Sequence, residues 1–112
     1  MGDDLVLLVF NEQAHIGAVA LADIDQGSKR AWASVLSSAG HREDKLAHEL
    51  SLKVCRSLRR RVCVIAGIHV DDITPEEIAD VLTAARAVTN QFIEFVRDMD
   101  DYLEEIIRED DS

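Results

Sequence analysis

At 112 residues the chain has room for one compact domain, and 12 Lys and Arg against 22 Asp and Glu leave it at a net charge of −10. Hydrophobic residues at 47% and charged residues at 30% describe a folded globule and exclude a disordered chain. The acidity excludes sequence-independent nucleic-acid binding, which needs Lys and Arg to neutralise phosphates. The longest apolar run, Leu5 to Phe10, is far short of the about 20 residues a bilayer span requires.

The first residues are acidic where a secretory leader is basic, and Val6 stands where a myristoylation signal has Ser or Thr. Cys55 and Cys63 form no CxxC pair, and each falls where a small apolar residue would fit. These features lead us to expect a cytoplasmic protein with reduced, buried thiols. The charge is uneven. Residues 94–112 hold nine carboxylates against Arg97 and Arg108, a net of −7, whereas residues 1–93 carry 13 acids and ten bases, a net of −3. We therefore divide the chain into one α+β domain, 1–93, and an acidic helical extension, 94–112.

In chain order, Leu5 to Phe10 reads as a strand followed by the polar turn 11–14. His15 to Ile24 reads as a second strand, ended by the hairpin-type loop Asp25-Gln26-Gly27-Ser28, and Arg30 to Ser37 as a third. Short loops make these three antiparallel neighbours. Leu46, Leu50, Val54 and Leu58 then recur every four residues, one apolar stripe of a helix, with Glu43 and Asp44 in its first turn and Arg56, Arg59 and Arg60 in its last. Val62 to Ala66 is a strand apolar on both faces.

The second helix opens at Thr74-Pro75-Glu76-Glu77, where Thr caps, Pro suits the first helical position and Glu77 completes a capping box. Ile78, Ala85, Phe92, Met99 and Ile106 recur every seven residues, as do Val81, Val88, Phe95 and Tyr102, with no Gly or Pro from 76 to 109. A helix of that length projects past its own domain or bends near Thr89-Asn90. The order β-β-β-α-β-α predicts a two-layer α+β fold: a four-stranded mixed sheet with two helices on one face, the second long and C-terminal. Both the heptad stripe and the uncovered sheet face, expected to be the one lined by small residues, call for a homodimer.

Strand direction carries the functional argument. His15 opens the second strand, Gly40-His41 follows the third, and a right-handed crossover makes the fourth parallel to the third, so His69 arrives at the same edge. Asn11, Glu43, Asp44, Asp71 and Asp72 join from neighbouring turns, and both helices start there. Such an edge suits an anion at helix N–H groups, acid/base chemistry, or, more weakly, a metal on His15, His41 and His69. Each histidine read alone is a turn residue satisfying local backbone groups, and it is the convergence of three, each near a glycine (Gly17, Gly40, Gly67), that singles out the edge. His48 falls outside this set, on the surface of the first helix. The basic run Lys53, Arg56, Arg59, Arg60 and Arg61 reads as a solvated helix end, within reach of the acidic tail in the same chain or across a dimer.

Three segments, Ala14 to Ala20, Gly40 to Asp44 and Ala66 to Asp71, resemble in order the LpdD-like family, described as prenylated-flavin chaperone-like and related in fold to the proteasome assembly chaperones. The resemblance covers about residues 4–90. It implies a non-catalytic accessory protein that assists loading of prenylated FMN, or maturation, of a decarboxylase acting on hydroxybenzoates such as gallate. It also implies transient contact with prenylated FMN or FMN. The family's histidine-bearing segments fall on His15, His41 and His69, with Gly17, Gly40, Gly67 and Asp71 beside them. A small metal-dependent or acid/base enzyme built on the three histidines, and an assembly chaperone of a larger complex, remain the alternatives.

Overall fold

The computed structural model describes residues 2–12, 15–38 and 43–111. Its elements are β1 (Leu5–Phe10), β2 (Ala18–Ile24), β3 (Ala31–Ser37), α1 (Asp44–Leu58), β4 (Val62–Gly67) and α2 (Pro75–Asp111). They form a mixed four-stranded sheet with two helices, the second long and C-terminal, as the order of elements predicts.

The strand order is β1-β4-β2-β3, with β1 and β4 parallel and β2 antiparallel to both β4 and β3. The expectation of three consecutive antiparallel neighbours therefore holds for β2 and β3 only. The second strand starts at Ala18, three residues later than His15, so seven residues connect β1 to β2. A tight hairpin needs two to five. The longer connection passes the end of β4, which fills the gap between them.

Alternation along each strand divides the sheet into two faces. Ala18, Ala20 and Ala22 of β2 and Val62, Val64 and Ala66 of β4 face the helices and are buried. The alanines let α1 sit close to the sheet, so that Leu46, Leu50 and Val54 fill the space above them. Burying each such Leu or Val is worth about 1.5–3 kcal/mol. The covered face is thus the small-residue one, contrary to expectation. The open face is lined by larger side chains, and Leu8, Ile65, Val19 and Leu36 form one row across all four strands. Leu36 there is 80% exposed. Cys63 also lies on this face and is only partly buried, unlike Cys55, which is buried on the core side of α1.

α1 ends one residue before Arg59, which takes the left-handed conformation (φ 55°, ψ 44°) and donates its N–H to the Cys55 carbonyl at 2.8 Å. The basic run is tied down locally. Arg59 donates to the Lys29 carbonyl, Arg61 pairs with Asp23 at 2.9 Å, and Arg60 pairs with Asp100 of α2 at 2.8 Å. The pairs Glu49–Arg86, Ser57–Arg97 and Arg60–Asp100 ascend together, so α1 and α2 run in the same direction from the same edge of the sheet.

The capping box forms as read: Glu77 N–H donates to the Thr74 hydroxyl at 3.1 Å and Thr74 N–H to the Glu77 carboxylate at 3.4 Å. From there α2 runs unbroken for 37 residues, about 55 Å. No break occurs at Thr89-Asn90. The buried Thr89 hydroxyl donates to the Ala85 carbonyl at 2.7 Å, which satisfies it inside the helix. The molecule is accordingly 59 Å long and 21 Å thick, and residues 101–110 are exposed throughout.

Candidate functional site

β1, β3 and β4 all end, and β2 begins, at one edge of the sheet. The connection from β1 to β2 crosses the end of β4 there, and Gly67 makes the crossing possible. A Cβ at Gly67 would run into the carbonyl of His15, which is backbone and has little freedom to yield. Gly17 extends the ladder, donating to the Ala66 carbonyl at 2.9 Å and accepting from Ser38 N–H at 2.8 Å. The place of its missing Cβ is taken by the carboxylate of Glu43, the residue immediately before α1.

The crossing brings His15 to His69, with ring centroids 5.7 Å apart and planes tilted by 45°. Asn11 holds His69 from the end of β1. Its amide donates to the His69 carbonyl at 2.6 Å and its side-chain oxygen accepts from His69 N–H at 3.1 Å. Asp71 lies 2.8 Å from His69 Nε2 and orients the ring. The backbone and the imidazole of His69 are therefore both fixed. Asp72, with φ 51°, makes the turn that leads into α2.

A cavity of about 690 Å³ opens beside this pair, between the starts of α1 and α2. That is within the range of small-molecule sites, about 300–1,000 Å³. His15, Glu43 and His69 supply its polar groups; Leu46, Ile68, Val70, Ile73, Ile78, Val81 and Leu82 form an apolar wall. A smaller cavity of about 220 Å³, lined by Leu8, Phe10, Ile16 and Ile65, adjoins His15 on the open face of the sheet.

Of the site residues expected from sequence, His15, Gly17, Gly67, His69 and Asp71 come together, with Asn11 and Glu43 beside them. Gly40 and His41 lie outside the described residues. His48 is on the exposed side of α1. Among the described residues no group of three or more His, Cys, Asp or Glu is arranged to hold a metal ion. The two helix starts differ: the capping box closes α2, whereas α1 has no side-chain cap. The apolar wall was not anticipated. Ile78 and Val81 belong to the heptad stripe yet line the cavity, and the signal for them was the apolar set Ile68, Val70 and Ile73 in a loop that should otherwise be polar.

A family model, described as the prenylated flavin chaperone LpdD-like domain, matches residues 1–97. The chain belongs to this family. Membership supports an accessory, chaperone-like role and fits the order of segments noted above. Comparison with curated proteins gave no match. Among the described residues no helix is long and apolar enough to cross a membrane.

Proposed function

We propose that the chain is a non-catalytic accessory protein that receives prenylated FMN at the histidine edge and assists its loading into a decarboxylase of hydroxyarylic acids. The observation that carries this reading is the 690 Å³ cavity, with an apolar wall on one side and two imidazoles on the other. A tricyclic ring bearing a prenyl-derived group suits the wall formed by Ile68, Ile73 and Leu82. Glu43, at the start of α1, opposes a phosphate there, so the phosphate belongs at the mouth, beside His15 and His69. When bound, prenylated FMN supplies decarboxylation chemistry to the enzyme that receives it. The chain's part is to bind, to orient and to release. His69, held by Asn11 and Asp71, donates or accepts one hydrogen bond in a fixed direction.

The same reading gives the open face of the sheet a second copy of the chain, making the working form a homodimer in the cytoplasm. Among the described strand residues of that face Asp23 is the one charged side chain, and it is paired with Arg61, so two copies meeting there bring few like charges together.

The test is anaerobic titration of the chain with prenylated FMN, with FMN as comparison. Binding should weaken about tenfold or more in Leu82→Trp, which fills the cavity, and in His69→Ala. An apo-decarboxylase should gain activity faster when the chain is added. Failure of either flavin to bind, together with equal maturation without the chain, overturns the proposal. Release of carbon dioxide from a hydroxybenzoate by the chain alone would favour the enzyme reading instead.

A further inference from the structure

α2 carries two apolar stripes, and among the described residues only one of them is covered. Thr89, Ile93 and Val96 are buried toward α1 and the core. Val88, Phe95, Met99, Tyr102 and Ile106 are exposed, Phe95 at 62% and Tyr102 at 59%. At about 100° per residue these five fall within roughly 60° of arc, turned about 100° from the buried stripe. They span about 27 Å, five helical turns. The outer part of this stripe lies beyond the Arg60–Asp100 pair, where residues 101–110 are all exposed.

Charge decides what covers it. Asp98 and Glu105 flank the stripe, and residues 94–112 carry a net of −7. Of the two arginines in that segment, Arg97 is engaged with the Ser57 carbonyl at 3.1 Å. A second copy laid on the same stripe would set one −7 segment near another at the 8–10 Å spacing of packed helices. That is about one Debye length at physiological salt, so the repulsion is only partly screened. A helix with Lys and Arg beside its apolar residues would meet attraction over the same distance.

We infer that the outer half of α2 is a docking surface for a basic amphipathic helix of a partner protein. Phe95, Met99 and Tyr102 offer it aromatic and adaptable thioether contacts, and the flanking carboxylates pair with its cations. This surface is separate from the histidine-edge cavity and works whether or not a flavin is bound there.

The probe is a fluorescein-labelled Leu/Lys peptide of about 18 residues patterned as an amphipathic helix, titrated with the full chain and followed by anisotropy. A Leu/Glu peptide of the same pattern is the control. The Leu/Lys peptide should bind, weaken as salt is raised, and lose about tenfold or more in affinity with Phe95→Ser combined with Tyr102→Ser, which leaves every charge in place. Leu36→Ser, on the open sheet face, should leave the peptide's affinity unchanged, whatever it does to self-association. The inference is overturned if the Leu/Lys peptide does not bind, if the Leu/Glu peptide binds as well, or if the double variant binds as tightly as the parent. It is also overturned if sedimentation shows a dimer that Phe95→Ser and Tyr102→Ser dissociate, since a second copy would then be the occupant.

Discussion

Replacing Gly67 by Ala tests the crossing on which the site depends. The added Cβ meets the backbone carbonyl of His15, and that segment is anchored two residues later by the hydrogen bonds of Gly17 to Ala66 and Ser38. Overpacking against such a wall costs about 1–3 kcal/mol. Retreat of the segment would weaken at least one of those bonds, at about 1 kcal/mol. Against this, Ala restricts the unfolded chain and recovers about 0.4–1 kcal/mol. The expected net loss is about 2–3 kcal/mol, or a fall in Tm of about 8–12 °C for a domain of this size. Gly17→Ala is the internal comparison, because its Cβ meets the far end of a flexible Glu43 side chain, which can swing aside. That substitution should cost under about 1 kcal/mol. Urea unfolding of both variants gives the two values directly, and NMR of the imidazole protons shows whether His15 has left His69. A Gly67→Ala variant within about 0.5 kcal/mol of the parent, or more stable than Gly17→Ala, would refute the account of the crossing.

Other outcomes follow from single contacts. Thr74→Ala removes the hydroxyl that accepts from Glu77 N–H and should lower stability by about 1 kcal/mol in urea unfolding. Arg86 grips Glu49 through two hydrogen bonds of 2.7 and 2.9 Å, and these hold the Glu49 carboxyl below the usual glutamate range. The folded form thus takes up this proton less readily than the unfolded form. Its stabilisation is fully present above an ordinary glutamate pKa of about 4.3 and is lost as the pH falls through the lowered folded value. Glu49→Gln should therefore flatten the acid limb of a stability–pH curve without moving its neutral region upward. Burial pushes the Cys55 thiol up, while Cys63 is partly open on the sheet face. At a dilution that frees the open sheet face of a second copy, iodoacetamide at about pH 8 should modify Cys63 well before Cys55, by mass spectrometry. Leu36→Glu places a charge on the open sheet face, on its edge strand β3, and in equilibrium sedimentation the proposed homodimer should give way to a monomer.

The sequence was most legible where local chemistry decides structure. The four-residue stripe of α1, the Thr74–Glu77 box and the apolar strands all stand within about three residues of where they were read. The approach of His15 to His69 is legible in the sequence although the strand order is not. Which end of the sheet a residue occupies depends on strand direction alone, and direction survives the insertion of β4 between β1 and β2. Order depends on a register between residues far apart in the chain, and no local pattern encodes that. The covered face is the opposite of the one the sequence suggests, for a related reason. Small residues look like an unfilled surface in sequence, yet Ala18, Ala20 and Ala22 are small because α1 presses on them. The cavity wall needed Ile68 and Leu82 to be seen side by side, and the chain separates them by a loop and two helical turns.

The position of β4 also sets an order of events during synthesis. β2 and β3 are joined by a short loop and can pair as soon as both have left the ribosome. β1 has no partner until β4 emerges, since Leu5 pairs with Val62 and Phe10 with Gly67. Its six apolar residues must wait, unpaired, while α1 is made. Pairing between such distant segments is slow, because a long loop must close before any contact rewards it. A nascent chain of this protein therefore carries Leu5 to Phe10 as an unpaired apolar strand until β4 has been made, the kind of segment through which folding chains aggregate.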